Sequence, residues 1–148
     1  MKIYKPAFSM IELIFVIVII GILAAVALPR LAMNRDDAQI AKAKTTLASV
    51  RSAISAEKQK RILQGEFTAI SDLGGGDYAF STFTTTGNDV LTYPIKNCTE
   101  LGESDGCWTR ENNVTYKYVL PDGTTAIFEL TANKLTCKST SDCSKLED

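Results

Sequence analysis

From Phe8 to Leu28 almost every residue is apolar, so no side of a helix built from this stretch would be polar; the run ends at Leu28-Pro29. Its 21 residues would make a helix about 31 Å long at 1.5 Å per residue, enough to cross a hydrocarbon core of roughly 30 Å. Beyond Pro29 the pattern changes. Ile40, Ala43, Leu47, Val50 and Ile54 recur at spacings of three and four, and Ile62 and Leu63 continue roughly on that face. This is the stripe of an amphipathic helix. Asp36 and Asp37 suit its first turn and Gly65 its end, while Lys42, Lys44, Arg51, Lys58, Lys60 and Arg61 supply the polar side. The two patterns predict one helical spine from Phe8 to about Gln64.

Periodicity fades from Glu66 to Asn113. Gly74-Gly75-Gly76 reads as a loop and not as a phosphate cradle, because no Gly-Lys-Ser or Gly-Lys-Thr follows it. Strand character returns at Val114 to Leu120, where Val114, Tyr116, Tyr118 and Leu120 alternate with Thr115, Lys117 and Val119. Pro121-Asp122-Gly123 predicts a turn, Thr124 to Leu130 a second strand, and Lys134 to Cys137 a third. Strands laid on the Ile40 to Ile54 stripe would bury it, which gives an α+β fold.

Composition narrows the function classes. The 148 residues are 45% hydrophobic and 22% charged, with a formal net charge of −1 and no histidine. One folded domain and one membrane segment fit that length. The charge balance argues against a basic surface for direct nucleic-acid contact, and the absence of histidine removes histidine metal ligands and a histidine general base. No clustered acid–base set suggests an enzyme.

Four cysteines, Cys98, Cys107, Cys137 and Cys143, leave eight, 29 and five residues between them. That spacing is unlike the close pairs of a zinc site, so disulfides in an oxidising compartment are the better reading. Of the three connectivities, Cys98-Cys107 with Cys137-Cys143 is favoured because each bond closes a polar, turn-rich loop. The cysteines also place the C-terminal part outside the cytosol, against a bare count of Lys2 and Lys5 before the apolar segment and Arg30, Arg35, Lys42 and Lys44 after it. Glu100, Glu103 and Asp105 are weak calcium candidates, as are Asp142, Glu147 and Asp148, but none has EF-hand spacing, and no cofactor is required. Asn113-Val114-Thr115 is a glycosylation sequon with Glu111 upstream, and Asn97-Cys98-Thr99 is a second.

Glu12 is the residue the apolar segment must explain. An ionised carboxylate at the centre of a bilayer costs about 2.5–3.5 kcal/mol on the insertion scale, and Glu12 enters the segment near its start. Two plainer readings stand beside a functional one. A secretory signal would use Lys2 and Lys5 as its basic region and Ala25-Val26-Ala27 as its cleavage site, but its core would be overlong and would have no use for Glu12. A plain anchor would let Glu12 snorkel to the interface.

The ungapped stretch Phe8-Ser9-Met10-Ile11-Glu12-Leu13 and Ile19-Ile20-Gly21-Ile22-Leu23-Ala24-Ala25-Val26-Ala27-Leu28-Pro29 resembles the start of the type IV pilin and type II secretion pseudopilin family. The resemblance implies cleavage of a leader, residues 1–7, between Ala7 and Phe8 by a prepilin peptidase that also methylates Phe8. Ala7 stands where the family usually has glycine. It implies a pilin-like fold: residues 8–29 as transmembrane and assembly helix, 30–64 as the amphipathic half of the spine, and 65–148 as a β-rich head. It further implies pairing of Glu12 with the N-terminal amine of a neighbouring subunit. That amine, with a pKa of about 8, is cationic at neutral pH. Gly21 and Pro29, the poorest helix formers in the spine, bracket the part that family filaments unwind, and a lone subunit is expected only to bend near Pro29.

The expected protein is therefore a structural subunit and not an enzyme. It is held single-pass in a bacterial inner membrane with its head in the periplasm, and polymerises with itself or related subunits through an inner-membrane assembly platform. Secretion, DNA uptake and adhesion all remain open as its purpose. The rival is a single-pass anchored binding module that never polymerises.

Overall fold

The computed structural model describes residues 8–84, 86–98, 106–138, 141 and 143–147, leaving aside the side chains of 28–34. One helix, α1 (Met10–Leu63), precedes four strands, β1 (Cys107–Arg110), β2 (Thr115–Val119), β3 (Thr125–Thr131) and β4 (Lys134–Cys137). The fold is α+β, as the pattern of the chain predicts, and pilin-like, as the N-terminal resemblance implies. The chain forms two compact units, one ending at Arg35 and the other beginning at Asp36.

In the second unit the strands form one antiparallel sheet in the order β1-β2-β3-β4, the meander expected when neighbours are joined by short turns. The β2–β3 turn is closed by Leu120 N–H donating to Thr124 O at 2.8 Å, while Asp122 Oδ1 accepts from Thr124 N and Oγ1 at 3.0 and 2.6 Å. Lys145, paired to Asp122, and secondarily these two bonds hold that carboxyl below the usual range. The β3–β4 turn puts Ala132 and Asn133 at φ of 49° and 63°, the left-handed pair of a two-residue hairpin. Asn133 suits such a position, and its Oδ1 also accepts from Ile70 N at 2.6 Å. Ala132 has no such compensation.

Ala43, Leu47, Val50 and Ile54 of α1 are buried with Tyr116, Tyr118, Ala126, Phe128, Leu130 and Leu135 of the sheet. An aromatic cluster fills the centre: Phe80 stacks on Tyr116 at 4.8 Å, and Trp108 lies 5.1 Å from Tyr118 and 5.6 Å from Phe128. Such offset and tilted pairs add about 0.5–1.5 kcal/mol each beyond their area burial.

Two details of the stripe differ from the sequence reading. Past Ile54 the buried face runs through Glu57 and Arg61, 5% and 1% exposed, while Leu63 is 89% exposed. At about 100° per residue Leu63 lies roughly 180° around the helix from Ile54, so apolar character alone misplaces it. Arg61 therefore does not belong to the solvated side. Its Nε donates to Glu57 Oε1 at 3.1 Å, and Glu57 also accepts from Thr86 Oγ1 at 2.8 Å and Asn88 Nδ2 at 3.1 Å. Arg51 is likewise engaged: its Nε donates to Leu135 O at 2.9 Å, and its Nη2 pairs with Glu147.

The helix ends where Gly65 permits it to. At φ of 79° Gly65 lets Glu66 N donate to Arg61 O at 2.8 Å and Gly65 N to Ile62 O at 3.1 Å. These are the two bonds of a Schellman motif.

Candidate assembly site

The apolar helix starts with a cap. Ser9 stands just before α1; its Oγ accepts from Glu12 N at 3.2 Å, and its carbonyl accepts from Leu13 N at 3.1 Å. A helix leaves its first N–H groups without intrahelical acceptors, and a serine at this position satisfies one of them. Ser9-Met10-Ile11-Glu12 has the spacing of a capping box, a signal present in the sequence that the reading above passed over. Ser9 is thus a positioning residue for Glu12, because it fixes where the helix begins and so the direction in which position 12 projects.

Glu12 is exposed, and its carboxylate has no hydrogen bond or ion pair with any described residue. Around it, Met10–Ala27 is long and apolar enough to cross a membrane, and none of its residues is buried inside the protein. A core helix of a water-soluble protein would have its apolar side chains covered by its own chain. Here Phe8, Ile11, Phe15, Ile20, Leu23 and Val26 all lie open. Apolar surface on every side asks for lipid or other helices. The site is thus an apolar rod with one negative charge near its capped end that no described residue compensates.

Gly21 has open space around the position of a side chain, and no neighbour requires its smallness. The chain remains helical through both Gly21 and Pro29. Residues 1–7, including Ala7 of the expected cut, lie outside the described residues. The calcium candidates Glu100, Glu103, Asp105, Asp142 and Asp148 do too. Among the described residues no group of three or more Asp, Glu, Cys or His is placed to hold a metal.

In the head, disulfides join Cys98 to Cys107 and Cys137 to Cys143. The first lies where the chain enters β1, and the second ties the end of β4 to the C-terminal segment. Asn113 is exposed, and its Oδ1 accepts from Arg110 Nη2 at 2.6 Å, but Thr115 of the same sequon is buried in β2. In the folded head that hydroxyl is out of reach. At the other sequon Asn97 is engaged through both ends of its amide, by Gly76 O at 2.9 Å and Arg110 N at 3.0 Å.

One polar hub had no local signal at all. Asp72 accepts from Gly74 N at 3.1 Å, Thr84 Oγ1 at 3.0 Å and Arg110 Nη2 at 3.1 Å. Tyr116 OH accepts from Leu73 N at 3.1 Å and donates to Asn113 O at 3.2 Å. Burial is the main cause that pushes Tyr116 up to about 12. The hub fastens the long connection after α1 to the sheet, through partners 38 and 44 positions apart. Nothing in it resembles an acid–base pair facing a substrate cavity.

Over 109 residues the chain is 36% identical to the type IV narrow pilus major component PilA5 of Thermus thermophilus, an alignment covering 73% of this chain and 94% of that protein. No family profile and no solved structure matches the chain.

Proposed function

The chain belongs to the type IV pilin family, and from that premise we propose that it is a filament subunit cut between Ala7 and Phe8, N-methylated on Phe8 and drawn from the membrane into a helical polymer. Before assembly it is held single-pass in the inner membrane, with residues 65–148 as a disulfide-braced head on the oxidising side. The cut creates an amine at Phe8, and that amine is the counter-charge that no described residue of the same chain gives Glu12. Pairing between neighbouring subunits neutralises both groups in a medium of low dielectric. A subunit docked out of register would leave a buried charge unpaired, at a cost of several kcal/mol. Glu12 then sets register, and the apolar rod supplies helix packing.

The observation that carries this reading is a Glu12 carboxylate unpaired among the described residues, on an apolar helix of which no residue from Met10 to Ala27 is buried. In a plain anchor the carboxylate is dispensable. In a filament subunit it is required.

Glu12→Leu is the test. The variant should insert in the membrane and keep a folded head, yet disappear from the sheared filament fraction. Normal incorporation of Glu12→Leu would overturn the pairing. Intact mass of the mature protein checks processing: a chain starting at methylated Phe8 supports the proposal, and one starting at Leu28, or uncut, opposes it.

A further inference from the structure

A surface cavity of about 220 Å³ opens between α1 and the first two strands, lined by Lys42, Ala43, Thr46, Ile95, Lys96 and Gly106 together with Cys107, Trp108 and Tyr118. Its walls combine three features that a simple packing defect does not require. The first is unsatisfied polarity: Trp108 is only 2% exposed, and its Nε1–H has no acceptor among the described residues. Most buried polar groups in folded proteins find a partner, so this N–H asks for an acceptor.

The second feature is the aromatic wall of Trp108 and Tyr118, with Ala43 and Ile95 adding apolar surface. Tyr118 is locked in place, because its hydroxyl donates to Gln39 O at 3.0 Å. The backbone at Gly106 is equally fixed. Its φ is 84°, its N–H donates to Val119 O at 2.8 Å, and an added Cβ would stand 2.6 Å from Gln39 Cδ. Glycine at this place keeps Gln39 close to the cavity.

The third feature is charge. Lys42 and Lys96 both line the cavity, both are exposed, and neither makes an ion pair with a described residue; no Asp or Glu is among the described lining residues. The site thus pairs an apolar floor with two cationic groups and a neutral N–H donor. An apolar cavity of about 150 Å³ holds a benzene molecule, so this one has room for a ring bearing a small polar group.

We propose that the cavity binds a small organic carboxylate, its apolar or aromatic body against Trp108 and Tyr118 and its anionic end held by Lys42 and Lys96. Water alone would satisfy the Trp108 N–H, but it would bring no negative charge to the two lysines and would leave the aromatic wall wet. The same chemistry has two sources, a free small molecule or a carboxylate-bearing side chain of a neighbouring subunit. The inference does not rest on polymerisation, since the cavity is complete within residues 36–148.

Trp108 is the only tryptophan in the chain, so its fluorescence reads the site directly. The full chain in detergent micelles is titrated with sodium benzoate at constant ionic strength, and separately with benzyl alcohol as a neutral probe of similar shape. Benzoate should give a saturable change, and benzyl alcohol should bind at least about tenfold more weakly, the difference expected for charge-assisted bonds. Lys42→Met with Lys96→Met should weaken benzoate about as much while leaving the thermal midpoint in place, both lysines being exposed. No saturable response to benzoate, or equal binding of the two probes, overturns the proposal even if the double variant fails to fold. Unchanged benzoate affinity in a folded double variant overturns it as well. Repeating the titration on assembled filaments separates the sources: retained binding identifies a free ligand, and binding confined to unpolymerised chain identifies a neighbour's carboxylate.

Discussion

Between Met10 and Ala27 the apolar side chains point outward and none of that surface is covered, whereas from Asp36 onward Leu47, Val50, Ile54, Phe80, Trp108 and Phe128 close on one another. The same residue types serve two ends. In the head they are consumed by folding, so their energy appears as the stability of one chain. In the N-terminal rod they are left over, so their energy appears only when lipid or further subunits arrive. Polar groups divide in the same way. Glu57 is met by Arg61, Thr86 and Asn88, while Glu12 is met by no described side chain. A charge satisfied at home is structural, and one left unsatisfied marks where a partner must come.

The strongest way to break this contrast is to remove equal apolar bulk from each part. Phe128→Ala in the head should cost about 3–5 kcal/mol of unfolding free energy, read by thermal or denaturant melting. Phe15→Ala in the rod should leave the melting of the head unchanged and instead lower filament yield. If both changes shift the melt alike, the rod is not energetically separate.

Glu57 is the next lever. Removing one partner of a buried pair costs about 3–5 kcal/mol, so Glu57→Gln should approach the core substitution in severity. Its pH behaviour has a definite sign. Burial raises the Glu57 pKa, but hydrogen bonds from Thr86, Arg61 and Asn88 with the Arg61 charge outweigh that and hold it below 4.5. The folded state therefore favours the carboxylate. Its stabilisation is fully present above the unfolded value and is lost as pH falls through the lower folded one, a limb that Glu57→Gln should flatten in acid melts. Tyr116 works oppositely. Raised to about 12, it stabilises below its unfolded value of about 10 and loses that contribution as pH climbs through 12, a limb absent in Tyr116→Phe.

A smaller effect should follow from opening the loop at the end of β4. Cys137→Ser with Cys143→Ser removes a short closed loop, worth about 2.5 kcal/mol in the chain-entropy view. Denaturant midpoints should fall in the double variant, with insertion of the rod unaffected. The smallest change should be a gain. Ala132 at φ of 49° is an alanine in a conformation glycine adopts freely, so Ala132→Gly should add about 0.5–1 kcal/mol to head stability.

The two parts also differ in how much of them the sequence reveals. The hairpin of β2 and β3, the edge strand β4 and the stop at Gly65 are local patterns, and they emerge within a residue or two of their predicted ends. β1 was missed: Cys107-Trp108-Thr109-Arg110 is too short and mixed to show alternation, and it becomes a strand only because β2 offers it a ladder. Strand preference depends on such context more than helix preference does. Glu57 and Arg61 were missed for a related reason. Their charge argues for solvent; the returning connection with Thr86 and Asn88 makes burial of Glu57 acceptable, while Arg61 is held by its Nε bond to Glu57 and keeps both Nη atoms without a partner among the described residues.

The sequence alone determined what depends on neighbours within a turn or two: an uninterrupted apolar rod, a serine cap, one carboxylate at a fixed place on that rod, and hairpins punctuated by Asp122-Gly123 and Asn133. Helical and strand periodicities, and the reach of a capping side chain, are set by local geometry. The tertiary structure decided the rest, because it depends on which distant groups meet. It buried Arg61 against Glu57, gathered Asp72, Arg110 and Tyr116 into one hub, and left the Trp108 N–H without an acceptor among the described residues, in a cavity lined by Lys42 and Lys96. A buried charge or an unmet N–H acquires its cost only when folding has removed the water around it, and no spacing along the chain records that removal.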